Sequence, residues 1–192
     1  RPPVPALNPK SSFRNPIDHF LEIQRREHNL TANPPAPRAV LLRRVYLDLI
    51  GLPPTRDELR AFLADKSPDA YDKVVGKLLA SPRYGERWGR HWMDIWRYSD
   101  WYGRRPSNEI RYSQRHIWRW RDWIIESINA DKGYDRMLTE MLAADEVAPA
   151  DLDTLRATGF LGRNWYKFDR NAWLFETVER TGEGLLGLTF RC

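Results

Sequence analysis

Residues 81–100 read SPRYGERWGRHWMDIWRYSD, and this stretch decides the fold. It places Trp88, Trp92 and Trp96 four residues apart, so on a helix they share one face. Another face carries polar, ionisable side chains at similar spacing: Arg87, His91, Asp94 and Tyr98. We therefore predict a central helix whose aromatic side packs into a core, while its polar side faces away from that core.

Apolar residues recur at helical spacing through the rest of the chain. Asn15, Pro16 and Asp18 form a typical helix start, and Thr55 with Glu58 matches a capping box. No stretch alternates with period two. We predict an all-α fold, an irregular multi-helix bundle of about eight helices with long loops and no significant sheet. The predicted helices span residues 15–28, 38–50, 55–64, 67–79, 81–100, 114–129, 134–144 and 171–186, with a loop and short helix at 145–155 and a loop at 160–170.

Composition sets the class of protein. The 192 residues are 42% hydrophobic and include nine tryptophans, which is enough for a sizeable core. The net charge of +5 is mildly basic and too weak to name an anionic partner. No apolar run reaches transmembrane length. The proline-rich residues 1–14 are predicted to be a linker, and residues 15–192 a single helical domain of a larger multidomain protein.

His91 and Asp94 are candidates for acid–base chemistry. They lie three residues apart, and a carboxylate near a histidine can orient the ring and raise its pKa. Asp100, at the end of the same stretch, is a third catalytic candidate. The alternative is that His91 and Asp94 are structural, a surface pair covered by a loop.

Residues 115–123 alternate arginine with tryptophan, a pattern found in nucleic-acid and sugar-binding surfaces. A core role explains it better, because Trp120 and Trp123 lie near the apolar stripe and arginine can pack over tryptophan. Nucleic-acid binding is disfavoured, since the net charge is low and acidic residues interrupt the patch.

Four acidic residues follow the predicted helix at 134–144: Asp145, Glu146, Asp151 and Asp153. Paired carboxylates of this kind can bind a metal or catalyse glycoside hydrolysis. Their spacing matches no calcium loop, and an acidic loop at a helix end explains them better. We predict no metal site. The single cysteine, Cys192, excludes an internal disulfide within this chain.

Several segments together resemble a known family. They are NPID at 15–18, LLRRVYLDLIGLPPT at 41–55, LLASPRYGERW at 78–88, RWRDWII at 119–125 and ATGFL at 157–161. This combination resembles the planctomycete cytochrome-associated domain of unknown function (domain of unknown function 1549), across nearly the whole chain.

The resemblance implies neighbouring cytochrome c and C-terminal domains in the same polypeptide, and an extracytoplasmic location. It also implies that Cys192 is the first cysteine of a C-x-x-C-H haem-attachment motif. In c-type haem both thiols bond the vinyl groups and the histidine ligates iron, so this chain alone would hold no covalent haem; haem c would belong to the full-length protein. The resemblance implies no catalytic residue, because the family has no established reaction.

We therefore expect a non-catalytic helical module of a large extracytoplasmic protein, packing against or positioning a c-type haem that begins at Cys192. The alternative is a polysaccharide-binding or carbohydrate-active domain that uses the His91 and Asp94 face.

Overall fold

The computed structural model describes residues 15–100, 116–163 and 170–190. Within those ranges the regular structure is helical and contains no strand, which confirms the predicted all-α fold. The helices are α1 (Pro16–Glu27), α2 (Arg38–Ile50), α3 (Arg56–Ala64), α4 (Ala70–Leu79), α5 (Pro82–Ile95), α6 (Trp118–Asn129), α7 (Tyr134–Val147), α8 (Leu152–Leu155), a 3-10 turn (Arg156–Thr158), α9 (Gly159–Gly162), α10 (Arg170–Thr181) and a π-helical turn (Gly182–Leu186).

Two predicted helix starts have the expected caps. The Asn15 side chain accepts a hydrogen bond of 3.1 Å from the backbone N–H of Asp18. At α3 the Thr55 hydroxyl accepts from the Glu58 backbone N–H at 3.3 Å, and the Glu58 carboxylate accepts from the Thr55 N–H at 2.9 Å. Each bond satisfies a backbone donor that the helix leaves without a partner, so both sequence patterns act as helix starts.

Backbone contacts divide the chain into two compact units, residues 1–37 and 38–192. The first contains α1, which ends at Glu27 and is followed by Asn29 in a left-handed conformation with φ of 53°. The second contains all the other helices. That residues 15–192 form one domain stays a prediction.

The first core of the second unit lies between α2, α3 and α4. Its buried residues are Leu42, Val45, Tyr46, Phe62, Ala70 and Leu78. Glu58 joins the three helices at the edge of this core, because its carboxylate also accepts from Lys77 at 3.0 Å and interacts with the Tyr46 hydroxyl. The hydrogen bond from the Thr55 backbone is the main cause that lowers the pKa of Glu58 to about 2, whereas burial and then Glu58 raise the pKa of Tyr46 to about 12.

The second core lies between α5, α6, α7 and α9. Its buried residues are Trp96, Ile117, Trp120, Trp123, Ile124, Met137, Met141, Ala157 and Phe160. The buried Glu140 lies at its edge and accepts three hydrogen bonds, from Lys132 at 2.6 Å, Arg136 at 2.7 Å and the Trp123 indole at 3.2 Å. The prediction that Trp120 and Trp123 serve the core is confirmed.

Helix α5 packs on α6 through two buried glycines, Gly85 and Gly89. The backbone N–H of Gly85 donates to the Asn129 side-chain oxygen at 2.7 Å, and the Asn129 amide donates to the Pro82 carbonyl at 3.0 Å. A methyl group added at Gly85 would lie 2.5 Å from the Ile125 carbonyl oxygen. At Gly85 the two helices thus approach so closely that a side chain in place of glycine would not fit.

The prediction that all three tryptophans of α5 face a core is wrong for Trp88. Trp96 is 2% exposed and Trp92 is half-buried against it, with ring centroids 5.0 Å apart. Trp88 is 37% exposed, because the face that meets α6 is the glycine face.

Helix α5 ends at Ile95, not at Asp100 as predicted. Arg97 adopts a left-handed conformation with φ of 60°. Its N–H donates to the Asp94 carbonyl at 3.3 Å, and the Tyr98 N–H donates to the Met93 carbonyl at 2.8 Å. These two bonds form a Schellman motif, in which glycine is the usual residue at the left-handed position.

The C-terminal part differs from expectation in one place. The predicted loop at 160–170 begins instead with α9, which buries Phe160; Trp165 and Tyr166 lie outside the described residues. The predicted helix at 171–186 is present as α10 and the π-helical turn. Helix α10 buries a charged side chain, Glu179, which is 3% exposed. It exposes three apolar side chains: Leu174, Phe175 and Val178.

Candidate functional site

The surface of α5 carries a row of rings, of which Trp88 and His91 are exposed and Tyr84 is half-buried. Tyr84 and Trp88 have centroids 6.2 Å apart, and Trp88 and His91 have centroids 5.5 Å apart. The four- and three-residue spacing places the three side chains along one side of the helix. We call Tyr84, Trp88 and His91 the aromatic row. The rings are tilted to one another by 44° and 57°, so each offers its own apolar face, with polar atoms at the ring edges.

The structure places His91 and Asp94 with different partners. His91 is exposed and its ring contacts Trp88. The Asp94 carboxylate accepts from Arg90 at 2.8 Å, an exposed pair one helical turn apart. The partner of the Asp94 carboxylate is therefore Arg90 and not His91. The assignment of His91 and Asp94 as catalytic stays a prediction.

Asp100, the third catalytic candidate, lies beyond the end of α5. It accepts a hydrogen bond of 2.5 Å from the Tyr98 hydroxyl, and the Tyr98 ring packs against Trp120 with centroids 5.8 Å apart. Burial, then the bond to Asp100, raise the pKa of Tyr98 above its ordinary value. The Tyr98 hydroxyl is the donor in this bond, and Asp100 is its acceptor.

Sequence reasoning missed a charged cluster around Arg97. The cluster comprises Arg97, Arg163 and Arg180 with Glu176, Glu179 and Glu183. Arg97 is half-buried, and its guanidinium makes no hydrogen bond or ion pair with any residue in the described ranges. Burial, then the charges of Arg180 and Arg163, lower the pKa of Arg97.

The only sequence signal for this cluster was weak. Three of its members, Glu176, Glu179 and Arg180, lie at helical spacing on α10, but Arg97 is distant in sequence. The two elements meet because the π-helical turn packs on the end of α5: a methyl group at Gly184 would lie 3.6 Å from the Ile95 carbonyl oxygen.

The sequence profile of the family described as PSCyt2, a protein of unknown function (DUF1549), matches residues 16–192. The chain belongs to this family. No curated protein and no solved structure matches the chain. PSCyt2 membership confirms the resemblance to domain of unknown function 1549, and the planctomycete and cytochrome association stays a prediction.

In this PSCyt2 domain the acidic residues after α7 have local structural roles. Asp151 caps α8, since its carboxylate accepts from the Asp153 backbone N–H at 3.0 Å and from the Thr154 hydroxyl. Across residues 15–100, 116–163 and 170–190, no group of three or more His, Cys, Asp or Glu side chains is arranged to hold a metal ion. Cys192 lies outside the described residues.

The basic segment around α6 is also structural in large part. Trp118 is 44% exposed, with the Arg119 guanidinium 5.6 Å from its ring centroid, and Arg121 pairs with its neighbour Asp122 at 2.8 Å. These contacts are those expected of arginines that cover a tryptophan-rich core.

In the part of the chain that the structure describes, no helix has the length and apolar character needed to cross a bilayer.

Proposed function

We propose that this PSCyt2 domain is a non-catalytic helical module of a large extracytoplasmic, cytochrome c-linked protein. It packs against or positions a c-type haem whose attachment motif begins at Cys192. The family resemblance supplies the cytochrome link. The structural observation that supports it is an exposed apolar surface on α10 and on the residues that precede Cys192 in the sequence.

This apolar surface has two parts. The outer side of α10 contributes Leu174, Phe175 and Val178, and the last described residues contribute exposed Leu186, Leu188 and Phe190. An exposed apolar surface of several contiguous side chains is typical of a face that another module or a ligand covers.

The chain is fixed just before Cys192. The Leu188 N–H donates to the Gly182 carbonyl at 2.9 Å, and the Phe190 ring lies so close to Gly182 that a methyl group there would overlap it. Gly187, with φ of 65°, lets the chain turn back after the π-helical turn. Phe190 is two residues before Cys192 in the sequence.

The residues present fit a c-type haem in part. The chain supplies one thiol, at Cys192, while covalent attachment needs a second thiol and a histidine ligand. The apolar surface before Cys192 suits an apolar macrocycle. When bound, a c-type haem supplies one-electron transfer; the residues of this chain would exclude water from one side of it.

The test is expression of the chain, extended by the tens of residues that follow Cys192 in the parent protein, with the haem c maturation machinery. We expect a covalent c-type haem absorption spectrum that survives denaturation. Cys192→Ser should abolish covalent attachment, whereas the nearby control Thr189→Ser should retain it. Absence of covalent haem in the extended wild-type chain would contradict the proposal.

The aromatic row favours a second candidate function, polysaccharide binding on α5. The exposed rings of Trp88 and His91, with the half-buried Tyr84 beside them, can contact successive sugar rings, and Trp88 has the largest ring of the three. The row overlaps the His91 and Asp94 face that the sequence analysis identified.

Trp88→Ala is expected to weaken glycan binding by at least about tenfold, because a buried aromatic anchor commonly contributes more than 1.4 kcal/mol. The measurement is a glycan array followed by titration calorimetry with the best ligand. Trp118→Ala is the matched control, since Trp118 is similarly exposed but lies outside the row. Equal affinity of the two variants, or no glycan retained by the wild type, would exclude this function.

A further inference from the structure

We propose that the cavity between α6, α8 and α9 binds a small organic acid, a ligand with an apolar ring body and a carboxylate. The cavity has a volume of about 340 Å³. Ligand cavities in proteins usually measure roughly 300–1,000 Å³, and a cavity of about 150 Å³ already holds a benzene molecule. This cavity therefore has room for a fused-ring ligand. The inference does not depend on the haem proposal or on the aromatic row.

The walls of the cavity are largely apolar. Ile117 and Trp120, both buried members of the second core, line it together with Leu152 and Leu155 of α8. Gly159 of α9 also lines it, and a methyl group there would lie 2.4 Å from Trp120 Cβ, so α9 is in close contact with the Trp120 side chain. The core thus fixes part of the wall before any ligand binds, as in most ligand cavities.

One wall residue carries a buried donor without an acceptor. The Trp120 indole N–H is buried and finds no hydrogen-bond partner among the described residues. Buried tryptophans usually place this group on an acceptor, and in the same core the Trp123 indole donates to Glu140 at 3.2 Å. Because the Trp120 side chain lines the cavity, an oxygen of a ligand bound there can supply the acceptor that the protein does not.

The ionisable side chains of the lining are all basic: His116, Arg119 and Arg156. None of the described residues that line the cavity is acidic, so the charge of the lining favours an anion. Arg156 is held by a carboxylate that is not part of the lining, since its guanidinium donates to Glu126 at 2.5 Å. Arg119 is therefore the cation that remains for a ligand.

Arg119 suits the carboxylate of the ligand. It is exposed, and its guanidinium lies 5.6 Å from the centroid of the Trp118 ring, a contact that limits the freedom of the side chain. An exposed arginine needs no counter-ion of its own, and its planar guanidinium binds a carboxylate through two parallel hydrogen bonds. The ligand would thus place its ring body against the apolar wall and its carboxylate at Arg119.

The experiment is a calorimetric titration of the chain with three probes at equal ionic strength. Naphthoate has both the ring body and the carboxylate, naphthamide has the same body without the charge, and acetate has the charge without the body. We expect naphthoate to bind saturably, naphthamide to bind at least about tenfold more weakly, and acetate not to bind saturably. The NMR resonance of the Trp120 indole N–H should shift saturably with naphthoate, because a ligand in the cavity lies beside that side chain.

Two arginine variants test the contact with the carboxylate. Arg119→Gln should weaken naphthoate binding by about tenfold and leave naphthamide binding unchanged. Arg121→Gln is the matched control, because Arg121 lies on the same helix, is paired with Asp122 at 2.8 Å and does not line the cavity. This control should bind naphthoate like the wild type.

A third variant tests the apolar wall. Leu152 is 79% exposed, so Leu152→Ala should fold like the wild type. It should weaken naphthoate and naphthamide equally, by about threefold, because it removes apolar surface that both ring bodies contact.

Five outcomes would overturn the proposal. They are no saturable binding of naphthoate, equal affinity for naphthoate and naphthamide, equal losses in Arg119→Gln and Arg121→Gln, unchanged affinities in Leu152→Ala, and an unmoved Trp120 resonance. The last would place the probe on another apolar surface, such as that of α10. Covalent haem attachment and glycan binding are measured separately, so each proposal can fail without the others.

Discussion

Gly85→Ala is expected to lower the free energy of unfolding by about 3 kcal/mol, because the added methyl group overpacks the contact between α5 and α6. The new carbon would lie 2.5 Å from the Ile125 carbonyl oxygen and 2.6 Å from Asn129 Cγ. Backbone cannot yield as a flexible side chain does, so α5 and α6 must separate. The separation would also break the 2.7 Å bond from the Gly85 N–H to Asn129. Urea denaturation followed by circular dichroism measures the change.

Gly76→Ala is the matched control for this prediction. Gly76 lies within α4 and is exposed, and nothing lies within 4 Å of a carbon added there. Alanine should raise stability at this position by about 0.5–1 kcal/mol, because it forms helix more readily. If the two substitutions changed stability in the same direction, the close contact of α5 with α6 would be wrong.

Glu140→Ala is expected to lower the free energy of unfolding by about 3 kcal/mol, because it leaves two cations and a buried indole N–H without their acceptor. The Glu140 side chain is 3% exposed and accepts from Lys132, Arg136 and Trp123. Asp94→Ala, which removes an exposed carboxylate paired with Arg90, should change stability by less than about 0.5 kcal/mol. A similar loss in both variants would contradict the burial of the Glu140 network.

The Glu140 network also makes stability depend on pH. Burial alone raises the pKa of Glu140, but the hydrogen bonds from Lys132 and Arg136 outweigh it and place the pKa below the ordinary value of 4.5. A carboxyl group whose pKa is lower in the folded state adds stability above its unfolded pKa, and that stability is lost as the pH falls below 4.5. The wild type should therefore lose more stability than Glu140→Ala between pH 5 and pH 3, measured by urea denaturation at each pH.

Local signals predicted the helices well. The bounds of α2, residues 38–50, and the Thr55–Glu58 capping box were both predicted, since helix caps and apolar periodicity act within a few residues of the sequence. The all-α class follows from the same signals, because no segment had the alternation of a strand.

Contacts between helices were harder to predict. The tryptophan spacing on α5 indicated one buried face, but Gly85 and Gly89 form the face that meets α6. Glycine adds no hydrophobic signal, so the close approach of two backbones leaves little trace in the pattern. Arg97 ends α5 in a position where glycine is usual, and for that reason the predicted helix ran too far.

The candidate site shows the same limit. Spacing alone allowed His91 and Asp94 to pair. In the structure Arg90, which lies one turn from Asp94, donates a hydrogen bond to the Asp94 carboxylate. The Arg97 cluster could not be found by spacing, because it unites the end of α5 with α10 and the π-helical turn. Only the tertiary structure shows that these charged side chains come together.

The arrangement of the two cores has a consequence for how the second unit opens. One core uses side chains from residues 42–78 and the other from residues 96–160, so each is built from a continuous stretch of chain. Such a topology has low contact order, which favours fast folding. Helix α5 lies between the two stretches and contacts both α2 and α6. Each core can therefore behave as a separate foldon in hydrogen exchange, and the attachment of α5 decides whether they exchange together or one at a time.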